Sequence, residues 1–320
     1  MSFSVRGPQK IRHSRISHTI ATTCMLLSTA PVASSLINIA SSPIMMMTTT
    51  PRGKAFADAL PPLKPFHRRV FLLRHGQTDW NSAGKMQGGG FDIPLNSHGQ
   101  QQAAAVANEL SGISMGAVAS SHLQRALQTA HHIDTTATTT TSSEQQRHYV
   151  DARLGEMRFG DFEGTVIHGP NAQPDHQERF RQMQLAMKQN VHLKWPGADA
   201  ECTWDVAQRG QAAVDALLDR QHEPCLAVVA HGRFNKILLA KLLWNDPSRY
   251  VEIEQGNTCI NVIDYNEQEE TWKAVLLNYS KHAPNANAKK ELRRQQEELQ
   301  KLQEQQQQPM EQLNVTSTAH

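Results

Sequence analysis

The chain has 320 residues, 39% of them hydrophobic and 19% charged, enough for one globular core with segments left outside it. Its formal net charge of +2 is unevenly spread: residues 1–57 hold six basic residues and no acid, residues 58–284 hold 21 basic and 25 acidic residues, and residues 285–320 hold five of each. A mildly acidic middle excludes the clustered basic face that nucleic-acid binding needs, and four separated cysteines without a CxxC pair argue against a disulfide or metal framework.

Residues 1–57 form an acid-free leader rich in Ser, Thr, Met and Arg, the composition of a targeting segment. The apolar stretch within residues 19–46 is broken by Ser, Thr, Asn and two prolines, so no stable membrane span is expected. A transit peptide to an organelle, mitochondrion or plastid, is favoured over a secretory signal, and a cytoplasmic location stays open. The sequons at Asn278 and Asn314 matter only on the secretory route.

Between residues 66 and 283, strand and helix signals alternate. Strands are predicted over Arg69–Leu73, Gly116–Ser120, Leu226–Ala230, Cys259–Asp264 and Thr271–Leu276. Helices are predicted over Gln100–Leu110, with Ser97 or His98 near its cap, and over Leu123–Ile133, Gln177–Lys188, Thr203–Arg220 and Phe234–Leu243. That alternation argues for a layered α/β/α fold with a mostly parallel sheet. The low-complexity stretch Thr135–Gln146 reads as a loop. The last segment, 284–320, is a Gln/Glu/Lys-rich, partly helical tail with few apolar residues, open to protein contacts.

Open α/β sheets bind ligands beyond the carboxyl ends of their strands. The run VFLLRHG delivers Arg74 and His75 to that rim, CLAVVAHG delivers His231 if the strands are parallel, and AVASSHLQR delivers Arg125 in the first turns of a helix. Two arginines and two histidines converging on one point suit a phosphate dianion, because guanidinium forks pair with phosphate oxygens and a helix N-terminus adds partial positive charge. Hydrolysis further needs a nucleophile and a proton for the leaving oxygen. An imidazole with one nitrogen held as a donor and the other free can be the nucleophile, and Gly76 lets the backbone turn closely enough for that. The glycine-rich segment LGEMRFGDFEG offers Glu156 as the acid, with Asp161 and Glu163 nearby.

The stretches LLRHGQTDWN, QGGGFDIPLNSHG, SSHLQRALQTA, LGEMRFGDFEG, PGADAECTWDVAQR, VVAHGRFNKILL, QGNTCINVIDY and LLNYSKH fall in order over roughly residues 69–282. The chain resembles the histidine phosphatase, or phosphoglycerate-mutase-like, superfamily through that ordered set. The resemblance implies a phosphoglycerate-mutase-like fold, His75 as a nucleophile forming a phosphohistidine, Arg74 and Arg125 as clamps on the phosphoryl oxygens, and His231 as the pocket's second histidine. It makes Glu156 the general acid and then base. Asn81 and Gln87, six and twelve residues after His75, match its polar phosphate-binding positions. No metal or cofactor is implied, since arginines supply the charge stabilisation.

The branch reads as phosphatase rather than mutase. The segment Glu156-Met157-Arg158-Phe159-Gly160 lacks the arginine and tyrosine of the mutase pattern Glu-Arg-x-Tyr-Gly, and the continuation to Gly164 fits the phosphatase one. The expectation is a metal-independent phosphoric monoester hydrolase acting on a small phosphorylated metabolite. A cofactor-dependent mutase, a protein phosphatase and a phospho-ligand scaffold recruited through the tail are the alternatives. Residues 165–200 are expected to cap the site. Cys202 stands where serine is common in the family, and Arg233, where small residues are frequent, is expected to narrow the pocket or meet a second substrate charge.

Overall fold

The structure, a computed structural model, describes residues 52–136 and 148–283. The leader up to residue 51, the low-complexity stretch from 137 to 147 and the tail from 284 onward lie outside the described residues, so the expectations for them are not met with structure here.

Six strands form one sheet: β1 (His67–Arg74), β2 (Ala117–Ser120), β3 (His148–Val150), β4 (Cys225–Ala230), β5 (Ile260–Asn266) and β6 (Thr271–Tyr279), in the spatial order β3-β2-β4-β1-β5-β6. The pairs β3–β2, β2–β4 and β4–β1 are parallel, while β5 runs antiparallel to both β1 and β6. Side chains alternate across β1: Val70 and Leu72 enter one core, Phe71 and Leu73 the other. Both faces are therefore covered, which is why the central strands read as continuous apolar runs.

One face packs against α6 (Thr203–Arg220) and α7 (Gly232–Trp244), with Phe180 and Met187 of α5 (Pro174–Gln189) in the same core. The other face packs α3 (Ser97–Leu110) and α4 (Gln124–Thr136). The layered α/β/α architecture expected from the sequence is thus present, with element ends shifted by a few residues. α3 starts from Asn96 rather than from Ser97 or His98, because the Asn96 side chain accepts the Gly99 amide at 2.8 Å.

Several short elements were not foreseen. The helix α1 (Arg52–Ala59) spans the expected leader boundary at residue 57, and its Phe56 is buried against α3 and the ring of Tyr279. Strand β3 is only three residues long and pairs parallel with β2 at the sheet edge. A further short helix, α2 (Asp79–Ser82), follows β1 closely and is closed by a capping box between Thr78 and Asn81. Among the described residues no helix is long and apolar enough to cross a membrane.

Candidate active site

Parallel pairing aligns Arg74 with Ala230, so β1 and β4 end level and His75 and His231 leave the same rim side by side. Their ring centroids are 5.1 Å apart. Ser120 ends β2 next to β4 and leads into α4, whose second residue is Arg125. The four residues named from the strand ends therefore meet in one buried place, as the sequence implied.

The two imidazoles present opposite faces of their chemistry. His75 Nδ1 lies 2.6 Å from the carbonyl oxygen of Gly76, which can only accept, so the ring proton sits on Nδ1 and Nε2 keeps its lone pair. Nε2 has no partner among the described residues. His231 is the reverse. Its Nδ1 accepts from Nε of Arg125 at 3.3 Å, which places its proton on Nε2, and that nitrogen is buried with no partner. Burial, reinforced by the charge of Arg125, holds both imidazoles well below their ordinary pKa, so both are neutral at pH 7.

The tie at Nδ1 depends on a close backbone approach. The Gly76 amide donates to Oγ1 of Thr129 at 3.1 Å, and a Cβ at Gly76 would stand 2.5 Å from the carbonyl oxygen of Gly99 in α3. A Cβ at Gly99 would in turn stand 2.0 Å from the carbonyl oxygen of Gln77. Bare backbone on both sides lets the loop seat against the helix.

Two guanidinium groups flank the rings. Arg125 is 1% exposed and is fixed by bonds to the carbonyl oxygens of Phe91 and Gly88, each at 2.8 Å. Burial draws its pKa down to about 10, with the Glu156 charge opposing, so it stays charged at neutral pH. Arg74 donates from Nη1 to the Gln255 carbonyl at 2.7 Å, while its Nε is buried without a partner. A Cβ at Gly232 would lie 3.0 Å from that Nε, which leaves α7 free to start against the guanidinium.

Glu156 lies between two 3-10 turns, Ala152–Leu154 and Gly160–Phe162. Its Oε1 accepts from the amides of Met157 (2.9 Å) and Phe234 (2.8 Å), and its Oε2 from the amide of Arg233 (3.1 Å). The carboxylate thus closes the N-terminus of α7, whose first turn His231 begins. The nearby Glu163 is engaged elsewhere: it accepts from the amides of Phe159 and Gly90, and burial raises its pKa.

Asn81 and Gln87 are placed differently from each other. Asn81 uses its side-chain oxygen in the capping box of α2, and the same oxygen receives a 3.4 Å contact from Nδ2 of Asn257, which also donates to the His75 carbonyl at 3.2 Å. Gln87 is buried, and its Oε1 has no partner. Arg233, flagged from the sequence, lies over the rings of Phe159 and Tyr250 at 5.5 and 4.8 Å. Cys202 does what serine would at its position: its Sγ accepts the Asp205 amide and caps α6.

The sequence reading missed three supports. Gln255 receives Arg74 through its carbonyl and bonds Asn235 and Asn261 through its side chain. Asn257 links Asn81 to the His75 backbone. Arg209 donates to the carbonyls of Arg153, Gly155 and Glu156 and pairs with Glu201, so it clamps the loop that carries Glu156. Among the described residues no group of three or more His, Cys, Asp or Glu side chains is arranged to hold a metal ion.

A profile of the histidine phosphatase superfamily (branch 1) matches residues 70–279, the span that holds every residue of this pocket. The chain belongs to the histidine phosphatase superfamily. Its similar proteins within that superfamily bear both kinds of name. A glucosyl-3-phosphoglycerate phosphatase of Mycolicibacterium vanbaalenii is 32% identical over 184 residues, 55% of this chain and 74% of that one. A probable phosphoglycerate mutase of Yersinia enterocolitica is 27% identical over 206 residues, 64% of this chain and 88% of that one. Among solved structures, mycobacterial glucosyl-3-phosphoglycerate phosphatase with VO3 is similar with a TM-score of 0.56 and 28% identity, covering 67% of this chain and all of the other.

Proposed function

We propose that the chain is a metal-independent phosphomonoesterase that works through a phosphohistidine. The observation that carries this reading is the opposed pair of imidazoles: a lone pair on Nε2 of His75 and an N–H on Nε2 of His231, both without protein partners, between two arginines. The His231 N–H is buried without a partner beside that lone pair, and a bare buried donor calls for a ligand that satisfies it. A phosphoryl group does so, because it offers an electrophilic phosphorus to the lone pair and oxygens to the donors. Similar solved proteins carry VO3 or inorganic phosphate, which fits the same chemistry.

In this reading His75 Nε2 attacks phosphorus in line, forming a P–N bond as the P–O bond to the leaving group breaks. Arg74, Arg125 and His231 Nε2–H stabilise the charge on the equatorial oxygens. Glu156 gives its proton to the leaving oxygen. Oε2 accepts one amide against two at Oε1, so Oε2 is the atom with room for that proton. Water then attacks the phosphohistidine, Glu156 takes its proton, and the P–N bond breaks to return neutral His75 and phosphate. Asn81 and Gln87 serve as further phosphate contacts. The substrate class is a small phosphorylated metabolite, and the organellar route proposed from the leader is tested by import of a reporter fused to residues 1–57.

The mutase reading is kept because similar proteins bear that name. Phosphate release from a panel of phosphomonoesters, run beside 3-to-2-phosphoglycerate conversion with a bisphosphorylated primer, decides between them. Release without conversion supports the phosphatase, conversion at a comparable rate overturns it, and neither activity from folded protein returns the binding or scaffold reading.

A further inference from the structure

Helix α7 starts directly after His231 and carries two half-buried cations one turn apart, Arg233 and Lys236. The Arg233 amide donates to Oε2 of Glu156, so the residue starts beside the carboxyl group proposed as the acid. Its guanidinium makes a single hydrogen bond, to the Tyr250 hydroxyl at 3.4 Å, and pairs with no acid among the described residues. Lys236 makes neither a hydrogen bond nor an ion pair with any described residue. The charged and titratable groups around it are Arg74, Arg233, Glu254 and Cys259, and of these Glu254 is an exposed carboxylate with which it forms no ion pair.

Holding two cations partly out of water beside a third, Arg74, without a matched acid is unfavourable. Burial and the neighbouring arginines lower the Lys236 ammonium to about 8. Stacking on Phe159 and Tyr250 accounts for part of the Arg233 charge, but Lys236 has no such contact. An anion held between them would relieve both.

We propose that Arg233 and Lys236 form a second anion subsite, which holds a carboxylate or a second phosphate carried by the leaving-group part of the substrate. This deepens the phosphomonoesterase reading and rests on it. It narrows the substrates to phosphomonoesters with an additional negative group, held by a bidentate guanidinium and a point-charge ammonium.

The test uses the full chain with His75→Ala, so that no substrate turns over, and calorimetric binding of matched pairs. The pairs are glycerol 3-phosphate against 3-phosphoglycerate for a carboxylate, and glucose 6-phosphate against glucose 1,6-bisphosphate for a second phosphate. The doubly anionic member of one pair is expected to bind about tenfold tighter. Adding Lys236→Met or Arg233→Gln is expected to bring that ratio down several-fold. Lys236→Arg is expected to keep it, as is Lys241→Met, the loss of a cation farther along the same helix. Ratios within about twofold in both pairs, or a ratio that neither substitution lowers, overturn the subsite. Wild-type turnover of p-nitrophenyl phosphate is measured separately: its absence alongside a retained binding ratio would sink the hydrolase reading and leave the subsite standing.

Discussion

Nε of Arg125 donates to Nδ1 of His231 at 3.3 Å, and that bond decides which nitrogen of His231 faces the pocket as a donor. The other two nitrogens of the same guanidinium hold the carbonyls of Phe91 and Gly88. One side chain thus sets a tautomer, anchors a pocket loop and still has two N–H groups left for phosphate. A lysine has its donors on one nitrogen and cannot span three partners that here meet three separate nitrogens. Arg125→Lys is expected to lower kcat by about 10²–10³ with a smaller change in KM and a lower Tm. A variant with wild-type kcat would remove Arg125 from the chemistry.

His75→Ala takes away the Nε2 lone pair proposed to attack phosphorus and leaves the arginines in place. Turnover is expected to fall by at least about 10⁴, while phosphate still binds, measured by calorimetry. An alkaline quench after mixing wild type with radiolabelled substrate should trap label on the protein, and the variant should trap none.

Glu156 and Glu163 separate by position. Glu156 faces the start of α7, whereas Glu163 fastens the amides of Phe159 and Gly90. Glu156→Gln is expected to cost about 10²-fold in kcat, with less loss on esters whose leaving group needs no proton, such as p-nitrophenyl phosphate. Glu163→Gln is expected to leave that leaving-group dependence intact. Equal sensitivity to leaving-group pKa in Glu156→Gln and wild type would deny Glu156 the acid role.

Stability should depend on pH through the buried histidines. His75, His231 and His282 all have their pKa lowered chiefly by burial, His282 to about 4. Above an unfolded pKa of about 6.5 neither state binds these protons, so no penalty arises. Below it the unfolded chain gains protons that the native rings refuse, and stability falls as pH drops toward the folded values. Urea midpoints are expected to be flat from pH 8 to 7 and to decline from pH 6.5 to 5. His282→Gln, distant from the reacting pair in role, should shallow that decline. A midpoint that rises on acidification would contradict the neutral assignment.

Much of the pocket was legible because its residues follow apolar runs. Arg74 ends a strand that the sequence marks plainly, His75 and His231 each follow one directly, and Arg125 stands at the head of the helix after another. Elements with weak local signals were not. Helix α1 is short, with Phe56 as its buried aromatic, and begins inside the acid-free leader, whose composition masks it. Strand β3 has three residues behind a threonine-rich stretch. Gln255, Asn257 and Arg209 have the roles they do because the chain closes on itself: each reaches its partner across 50 or more positions. Lys236 looks like any helical lysine until its neighbours are seen, since its meaning lies in the missing counter-charge. The tautomers likewise come from contacts, not spacing.

At the seam between the loop after β1 and α3, the Gly99 backbone fills the space a methyl group on Gly76 would need, and the Gln77 backbone fills the space a methyl group on Gly99 would need, so these two positions answer to one another. Alanine at either should force the same parting of loop and helix, after which alanine at the second finds the gap already open. The double variant should therefore be much less impaired than the sum of the singles, a strong sub-additive epistasis. On that account the two sites drift through sequence space as a locked pair, and the reach of the nucleophile is governed as much by residue 99 as by its own neighbour.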